Sequence, residues 1–460
     1  MDADSGQSGL GDAVFLARKP PGRGNGAAFR RGSGRRDAAD DGGVRADDFR
    51  FLSHRQNPPN SDRSYAARSG RNRAPGNRTR PERSPTRPER ENIVNQRRDD
   101  EKWMREALSW AWKGKGTTSP RPSVGAVLVR DGQIIGGGHT QRGDGTPHAE
   151  IMALRDAAQN GADAHGVTAY VTLEPCCHWA TTPPCCDALI EAGITRVVVG
   201  VHDPNPLVAG RGIERMRAAG IEVTQGVLER ECARAQDDFL HHIVHQTPFV
   251  TLKSALSLDG KIALKSGQSR WITNSQSRER AHLLRHHSDA VLVGIETVLS
   301  DDPSLGVRLE GNWKQPTRIV LDSRGRLPLN AKIWDGAPQL IVATSQAPAE
   351  NIDRLREKGA MVLELQSEPH SSHVEWRHLL AELYALKIFS ILMEGGAHVA
   401  GSAVAAGIVQ KAAFFVAPML IGEGKSALSG FEIGDLALAP RLLDVQIEQL
   451  GGDVLVEGYF

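Results

Sequence analysis

Residues 168–190, TAYVTLEPCCHWATTPPCCDALI, decide the fold of the first half of this chain. The apolar run Ala169–Leu173 is typical of a buried strand, and it leads directly into Glu174-Pro175-Cys176. A second cysteine pair begins at Cys185, where the sequence predicts the start of a helix. His148-Ala149-Glu150 stands upstream, at the start of another predicted helix. The pattern therefore places cysteine and histidine side chains at the ends of regular elements.

Strands and helices alternate on both sides of this stretch. Short apolar runs predict the strands, Asp131-Gly132 predicts a hairpin turn, and apolar residues at helical spacing predict the helices. This alternation predicts a three-layer α/β sandwich, with helices on both faces of one sheet. The predicted strands span residues 125–129, 133–136, 169–173, 197–201 and 222–227, and the predicted helices span residues 101–113, 150–159, 184–192, 211–219 and 229–242.

The histidine and the cysteines form a candidate zinc site. One imidazole, from His148, and two thiolates, from Cys176 and Cys185, suit Zn²⁺ and leave the fourth tetrahedral position for water. Zinc lowers the pKa of its bound water to about 7, which makes hydroxide available at neutral pH. Glu150 is too close to His148 in sequence to be a further ligand and is placed to carry that water's proton to a leaving nitrogen. This His-x-Glu plus Pro-Cys pattern is that of the zinc nucleobase deaminases.

The other cysteines are Cys177, Cys186 and Cys232. Adjacent cysteines rarely both reach one ion, so Cys177 and Cys186 are predicted to be neighbours of the ligands, and Cys232 is predicted to lie in the core or on a helix surface. The odd total of five cysteines, without a secretory signal, argues against a disulfide framework. No run of about 18 apolar residues predicts a membrane span. We therefore expect the protein to be located in the cytoplasm.

Residues 1–98 differ in composition from the rest of the chain. They are rich in Arg, Gly, Pro, Ser and Asp and poor in apolar residues, so we predict a disordered extension, with ordered structure beginning near Glu101. One interpretation is an Arg-rich arm that binds RNA. The other, which we favour, is an extension without function that results from a misassigned start codon. The formal net charge of +1 indicates no preference of the whole chain for polyanions.

Pro248 opens a second α/β region, so we place the domain boundary at residues 243–248. No Gly-x-Gly-x-x-Gly opens a βαβ unit in this half, which argues against the Rossmann fingerprint. The length of 460 residues also exceeds what one core usually holds. The predicted strands of this half span residues 249–252, 290–293, 318–321, 339–343, 361–365, 390–393 and 412–416.

Several motifs in the first half extend beyond the candidate zinc ligands. Eight residues separate Cys176 from Cys185, whereas nucleic-acid and nucleoside deaminases usually carry Pro-Cys-x-x-Cys. With this spacing, the chain resembles the deaminase domain of bifunctional riboflavin-pathway deaminase-reductases. The resemblance implies a cytidine-deaminase-like sandwich. The segments that carry it are residues 124–127, 170–176, 182–190, 203–206 and 208–212.

Residues 248–460 resemble the reductase domain of the same family, which implies a dihydrofolate-reductase-like α/β fold and NADPH as cofactor. The matching segments are residues 252–253, 257–263, 269–273, 283–285, 297–299, 301–305, 321–323 and 394–396, together with Gly294 and Arg308. The resemblance implies NADPH contacts at Ala255, Trp271, Thr297, Asp301, Ser323 and Gly396. It implies substrate contacts at Ser269, Arg285, Leu305, Arg308 and Glu394.

These residue types suit their implied roles. Arg285 and Arg308 provide the planar cationic donors that phosphate groups require. The glycine-rich backbone at Gly395-Gly396, at a strand end before a helix, allows a phosphate to approach N–H groups. Taken alone, however, Glu-Gly-Gly more often indicates a tight turn, and Trp271 more often indicates a core residue.

The deaminase half departs from the family at three positions. Arg121 stands where the family usually has Asn, and Ala180 and Thr181 stand where it usually has Gly and a basic residue. In the family these loop positions help to hold the phosphorylated substrate. A reductase with an impaired deaminase domain therefore stays open as an alternative. A nucleic-acid-editing deaminase is a second alternative, which the cysteine spacing and the whole second half oppose. An open coordination position on zinc beside Glu150 also argues against a purely binding or structural protein.

The resemblance implies one enzyme with two activities. Residues 99–243 would form the deaminase domain, which removes the 2-amino group of a diamino-ribosylamino-pyrimidinone 5′-phosphate. Residues 248–460 would then reduce the ribosyl side chain to ribityl with NADPH. A homo-oligomer is expected from the resemblance. The expected partner is a phosphorylated pyrimidine, with neither nucleic acid nor a membrane.

Overall fold

The computed structural model describes residues 87–179, 182–367 and 373–460. In the first half, five strands form one sheet and six helices pack around it. The strands are β1 (Gly125–Arg130), β2 (Gln133–His139), β3 (Thr168–Leu173), β4 (Arg196–Val201) and β5 (Glu222–Gln225). The helices are α1 (Arg87–Gly114), α2 (Ala149–Gln159), α3 (Cys185–Glu191), α4 (Arg211–Ala218), α5 (Glu229–Ala235) and α6 (Asp237–His245).

The first sheet has the strand order β2-β1-β3-β4-β5. Strand β1 runs antiparallel to β2 and β3, whereas β3, β4 and β5 are parallel. Parallel neighbours need crossover connections, which α3 and α4 provide here. All five predicted strands are present, and the three-layer α/β sandwich is confirmed.

Strand β2, with the sequence QIIGGGH, explains how helices cover both faces. Successive residues of a strand point to opposite faces. A Cβ at Gly136 would lie 2.3 Å from the carbonyl oxygen of Ala153 in α2, and a Cβ at Gly137 would lie 2.5 Å from the Trp110 ring nitrogen in α1. The glycines therefore let the two helices approach the same strand closely from opposite sides.

Helix α1 begins at Arg87, so the expectation that ordered structure starts near Glu101 is wrong. The apolar face that predicted the helix is confined to its C-terminal half. The preceding turns are largely polar in sequence, residues 94–99 are exposed, and these turns continue the same helix up to the buried residue Asp100. The Asp100 carboxylate pairs with Arg196 at 2.7 Å and accepts a hydrogen bond from Tyr170 at 3.1 Å. Residues 1–86 of the predicted extension lie outside the described residues.

The helix predicted over residues 229–242 is two helices, which was not foreseen. The chain breaks at Gln236, where φ is −133°. The Gln236 side chain is buried and donates hydrogen bonds to the carbonyl oxygens of Thr172 and Cys232. These hydrogen bonds hold the break between α5 and α6 against strand β3. Helix α6 then leads to the second half of the chain.

The second half is built on a nine-stranded sheet and a small two-stranded one. Its strands are β6 (Phe249–Ser257), β7 (Lys261–Leu264), β8 (Ala290–Gly294), β9 (Thr317–Leu321), β10 (Leu340–Thr344), β11 (Met361–Glu364), β12 (Ser390–Glu394), β13 (Lys411–Ala417), β14 (Gly424–Ser426), β15 (Leu443–Leu450) and β16 (Asp453–Tyr459). Its helices are α7 (Ser275–His287), α8 (Ile295–Asp301), α9 (Ala349–Glu357), α10 (Trp376–Ala385) and α11 (Ala397–Ala405).

The large sheet has the order β11-β10-β9-β8-β12-β6-β13-β16-β15. The seven strands from β11 to β13 are parallel, and they are the seven predicted ones. The antiparallel hairpin of β15 and β16 was missed, although Gly451-Gly452 between two alternating segments is a hairpin signal. None of the described helices is long and apolar enough to cross a membrane.

Replacing Asp100 tests how helix α1 is held to the first sheet. We expect Asp100→Ala to lower the free energy of unfolding by about 3 kcal/mol, because the largely buried Arg196 loses its buried anionic partner and keeps only the exposed Glu222. Chemical denaturation followed by circular dichroism measures the change. Glu101→Ala removes only the more exposed pairs with Arg97 and Arg105 and should cost less than about 1 kcal/mol. Equal losses in the two variants would contradict this assignment.

Candidate active sites

Three side chains converge at one end of the first sheet. The His148 Nδ1 atom lies 3.6 Å from the Cys176 sulfur and 3.2 Å from the Cys185 sulfur. All three potential ligand atoms lie within 4.8 Å of one another. The structure therefore brings together the three residues that were predicted as zinc ligands.

Each of these residues stands at the end of an element. His148 is the N-cap of α2, Cys176 follows the end of β3, and Cys185 is the first residue of α3. The backbone N–H of Cys185 also donates to the Cys176 sulfur at 3.3 Å. The hydrogen bond from the Cys185 side chain and the neighbouring His148 lower the pKa of Cys176 to about 4. The thiolate, which is the form that binds zinc, is thus favoured.

The spacing of the donor atoms fits zinc. Tetrahedral bonds of about 2.3 Å to sulfur and 2.0–2.1 Å to nitrogen place a nitrogen and a sulfur ligand about 3.5 Å apart. The two observed nitrogen–sulfur distances, 3.6 and 3.2 Å, lie on either side of that value. Three protein donors leave one position of the tetrahedron for water, which is the arrangement of catalytic zinc sites.

Glu150 occupies the first turn of α2, and it is buried at 4% exposure. Burial raises the pKa of its carboxyl group to about 7. A group with a pKa near the working pH can both accept and donate a proton efficiently. The position suits the predicted proton-transfer role.

The remaining cysteines lie outside this group of three donors. The Cys177 thiol points to the carbonyl oxygen of Leu207, and the Cys186 thiol points to the Asp187 carboxylate. Cys232 is fully buried in α5. Among the described residues, the histidine and the two cysteines predicted as ligands form the only candidate metal cluster.

Glu174 is a residue whose role the sequence analysis missed. Its buried carboxylate accepts hydrogen bonds from the backbone N–H groups of Gly210 and Gly212, at 3.1 and 3.2 Å, and lies 3.3 Å from the His202 ring. These contacts hold residues 202–212 against the strand end that carries Cys176. Its position beside Cys176 in the Glu-Pro-Cys motif was the available signal.

Arg121 does not project freely into solvent. Its guanidinium donates hydrogen bonds to the carbonyl oxygens of Gln141 and Thr146, at 2.7 and 3.0 Å, and to the Thr146 hydroxyl at 3.1 Å. Both residues belong to the loop that leads to His148. Ala180 and Thr181, the other two departures from the family pattern, lie outside the described residues.

A cleft of about 510 Å³ opens at the carboxyl ends of the parallel strands in the second half, where ligands bind in open α/β sheets. All the predicted NADPH and substrate contacts except Ser269 and Ser323 line it. The predicted residues in the cleft are Ala255, Trp271, Thr297, Asp301, Gly396, Arg285, Leu305, Arg308 and Glu394.

The two predicted contacts outside the cleft are near its strands. Ser323 follows β9, and its carbonyl oxygen accepts hydrogen bonds from the Thr344 hydroxyl and the Gln346 backbone. Ser269 lies in the segment between β7 and α7, directly before the cleft residue Arg270. Their implied ligand contacts stay predictions.

Charge is concentrated around Glu394 at the end of β12. Arg285 forms a two-pronged ion pair with it, at 2.5 and 3.1 Å, and also donates to the Gly306 carbonyl oxygen. The Lys253 ammonium lies 3.5 Å from the same carboxylate. Burial alone would raise the pKa of Glu394, but Arg285 and Lys253 lower it to about 2. Lys253 lines the cleft and was not singled out from the sequence as a site residue.

The two glycines after Glu394 require a special backbone. Gly395 and Gly396 have φ values of +112° and +68°, which side chains rarely adopt. A Cβ at Gly395 would also lie 2.9 Å from the Thr297 hydroxyl. Gly396 is the N-cap of α11, a backbone arrangement that suits a phosphate group, and the implied cofactor contact there stays a prediction.

Two family models match the chain, one for each half. A cytidine and deoxycytidylate deaminase zinc-binding region matches residues 97–201, and a RibD C-terminal domain matches residues 248–456. The fold and the sites therefore define a zinc-binding deaminase domain followed by a RibD-type domain.

Whole-chain relatives specify the family. A riboflavin biosynthesis protein RibD from Aquifex aeolicus is 42% identical over 78% of this chain and 97% of its own, and one from Escherichia coli is 41% identical over 77% and 98%. The chain belongs to the RibD family of riboflavin biosynthesis proteins. Acinetobacter baumannii RibD aligns over 79% of this chain and 99% of its own, with 38% identity and a TM-score of 0.68. The predicted resemblance is confirmed.

A further solved structure carries a fuller description. It is a diaminohydroxyphosphoribosylaminopyrimidine deaminase/5-amino-6-(5-phosphoribosylamino)uracil reductase from Thermotoga maritima. It is 36% identical, covers 79% of this chain and 99% of its own, and has a TM-score of 0.68. The similarity spans both halves, so the order of the two domains is shared as well.

Acid titration tests the electrostatics of the second cleft. Below pH about 4.5 the unfolded chain protonates Glu394, whereas the folded chain does so only near pH 2. Wild-type stability should therefore fall with decreasing pH through this window. In Glu394→Gln the slope should be smaller by up to about 1.4 kcal/mol per pH unit, which corresponds to one proton.

Urea denaturation across this pH window measures both slopes. Glu423→Gln is the matched control, because Glu423 is exposed and pairs only with the exposed Lys265 at 3.2 Å. The control should keep the wild-type slope. If Glu394→Gln also keeps it, the two cations do not depress the pKa of Glu394.

Proposed function

We propose that this chain performs two consecutive reactions of riboflavin biosynthesis. The first half deaminates the 2-amino group of a diamino-ribosylamino-pyrimidinone 5′-phosphate. The second half reduces the ribosyl side chain of the product to ribityl with NADPH. The observation that carries the proposal is the convergence of His148, Cys176 and Cys185 beside Glu150, in a chain whose other half holds a charged cleft at its strand ends.

In the deaminase half, His148, Cys176 and Cys185 hold the zinc ion. When bound, zinc would lower the pKa of a water molecule at the open position to about 7. Glu150 is the catalytic acid and base. Its buried carboxylate takes the proton of the water and delivers it to the leaving nitrogen, so that ammonia departs. Glu174 is a positioning residue, because it holds residues 202–212 beside Cys176.

In the reductase half, the cleft residues orient the sugar phosphate. NADPH supplies the hydride for the sugar C1′ when it is bound. Arg308, at the cleft and bonded to the Ser304 hydroxyl at 2.8 Å, provides a cation for the phosphate group. Arg285 fixes the Glu394 carboxylate toward the cleft. Lys253, the ammonium group beside Glu394, is the proton donor that we assign.

The domain assignment follows from the two sheets. We assign residues 99–243 to the deaminase domain, together with the earlier turns of helix α1, and residues 248–460 to the reductase domain. The substrate is a small phosphorylated pyrimidine, and neither nucleic acid nor a membrane is a partner. We place the enzyme in the cytoplasm, in agreement with the free thiols of all five cysteines.

The two reactions can be followed separately in one preparation. Purified protein is given the diamino-pyrimidinone phosphate, while ammonia release and NADPH oxidation are recorded. Ammonia should appear first, and NADPH consumption should depend on it. If no ammonia appears but NADPH is consumed with the already deaminated pyrimidine, the chain is a reductase with an inactive zinc domain.

Single substitutions make this assay specific to the proposed residues. Glu150→Gln should reduce ammonia release about 10²- to 10⁴-fold and leave NADPH oxidation of the deaminated pyrimidine intact. Cys176→Ser should lose both zinc and ammonia release. Cys177→Ser is the matched control, because its thiol points to the Leu207 carbonyl oxygen and lies outside the group of three donors, and it should keep both. Loss of zinc in the control alone would contradict the ligand assignment.

We also propose that the chain forms a homo-oligomer through the outer edge of the large sheet. Strand β15 is the last strand of this sheet, and three side chains on alternate positions, Leu443, Val445 and Ile447, are 66%, 48% and 73% exposed. An exposed apolar edge strand readily pairs with another chain. A second copy of this strand is an equally long, equally apolar partner for such pairing.

Charge at the centre of this edge should disrupt the oligomer. Ile447→Lys is expected to shift the protein from an oligomer toward the single chain, because burying the new ammonium group at the edge is costly. Sedimentation velocity measures the state. Val244→Lys, an exposed apolar residue on α6, is the control and should leave it unchanged. An oligomer that persists in Ile447→Lys would place the interface elsewhere.

A further inference from the structure

Arg121 closes the loop that ends at the metal ligand His148. Its guanidinium donates to the Gln141 carbonyl oxygen at the start of the loop, and to the carbonyl oxygen and hydroxyl of Thr146 at its end. The loop is closed a second time by the Gln141 backbone N–H, which donates to the Pro147 carbonyl oxygen at 3.1 Å. One planar side chain thus fixes both ends of the loop.

The position of His148 depends on this loop. On its C-terminal side, the His148 carbonyl oxygen accepts the first hydrogen bond of α2, from Met152. On its N-terminal side, Thr146 and Pro147 are held by the closed loop. Metal-binding histidines usually donate their second ring nitrogen to a partner that orients the ring. The backbone contacts on both sides of His148 therefore fix where its side chain begins.

The residues before Arg121 are held by the other half of the chain. The Ser119 hydroxyl donates to the Asp289 carboxylate at 2.8 Å, directly before strand β8. The same carboxylate oxygen accepts the backbone N–H groups of Phe389 and Ser390, at 3.1 and 3.2 Å, so Asp289 is firmly placed. The Pro120 carbonyl oxygen lies 3.2 Å from the His242 ring in α6. Three consecutive residues therefore contact the reductase sheet, the connecting helix and the deaminase loop.

We propose that Ser119-Pro120-Arg121 is a brace through which the reductase sheet positions His148 for zinc binding. Arg121 is the positioning residue at one end of the brace, and the Ser119–Asp289 contact anchors the other. The inference rests on the proposed zinc site of His148, Cys176 and Cys185. It accounts for an arginine at position 121 by loop closure, because both terminal nitrogens of its guanidinium donate to acceptors of the loop.

Zinc release from the full chain tests the brace. The protein is loaded with zinc, an excess of chelator is added, and transfer is followed with a metal-sensitive dye. Arg121→Ala should lower zinc affinity about 10- to 100-fold, as loss of residues that orient metal ligands does. Arg121→Lys retains one cationic donor and should fall between this variant and the wild type. Arg142→Ala, an exposed arginine in the same loop, should match the wild type.

Two further readouts separate positioning from a general structural effect. Cobalt substituted for zinc should show altered visible absorption in Arg121→Ala, because the His148 ligand is displaced. NADPH oxidation with the deaminated pyrimidine should stay at the wild-type rate, which confirms that the chain is folded. Ser119→Ala should weaken zinc binding by a smaller factor, about two- to fivefold, because it removes one hydrogen bond at the far end of the brace.

The outcomes are distinguishable. If Arg121→Ala keeps wild-type zinc affinity and raises only the KM of the diamino substrate, Arg121 is a substrate contact and the brace is wrong. If Ser119→Ala has no effect on zinc, the reductase sheet does not take part. If His148→Ala binds zinc as the wild type does, the proposed metal site itself fails, whatever the Arg121 variants do.

Discussion

Three donor atoms must meet within a few ångströms, and this constraint organises the first half of the molecule. His148, Cys176 and Cys185 stand at the ends of α2, β3 and α3, so these three elements have to converge at one edge of the sheet. The glycines of β2 let α2 approach the sheet closely. A buried Glu174 then fastens residues 202–212 to the same edge. The three donor side chains form a candidate metal site because the elements that carry them end at the same place.

The second half solves a different physical problem. It has to keep a carboxylate ionised in a buried position, where burial alone favours the neutral acid. Arg285 and Lys253 offset that tendency, so Glu394 stays charged at the end of β12. The parallel strands β6 and β12 place Lys253 beside Glu394, and Arg285 reaches the same carboxylate from helix α7. The adjoining Gly395 and Gly396 leave the backbone there open to a phosphate group.

The halves are joined by buried charges as well as by chain continuity. The Lys115 ammonium, only 7% exposed, lies 3.0 Å from Asp237 and 2.7 Å from Asp238 in α6. Burial would lower the pKa of Lys115, but the two carboxylates raise it well above its usual value. The Tyr459 hydroxyl at the end of β16 donates to Asp237. The end of α1, the connecting helix and the C-terminal hairpin are thus held by one network, beside the Ser119–Asp289 contact.

Much of this arrangement was encoded locally. Apolar runs, with the Asp131-Gly132 turn before β2, predicted all the strands of the first sheet and all the parallel strands of the second. The signal is clearest in strands such as β1, β3 and β4, because burial on both faces leaves a continuous apolar run. Spacing and residue type also predicted the three zinc donors and Glu150. Helix α1 starts earlier than expected, because its first turns are largely polar and do not continue the apolar face that predicted the helix. The C-terminal hairpin was missed although its turn was visible.

Only the tertiary structure decided the long-range partners. Lys253 pairs with Glu394 in the cleft. Arg121 binds the loop that begins at Gln141. Ser119 donates a hydrogen bond to Asp289 in the other half of the chain. The sequence shows which hydrogen-bond donors and acceptors the chain has, and its apolar periodicity predicts on which helix or strand each one lies. Which of them meet depends on how elements distant in the chain pack, since hydrogen bonds and ion pairs act over only a few ångströms.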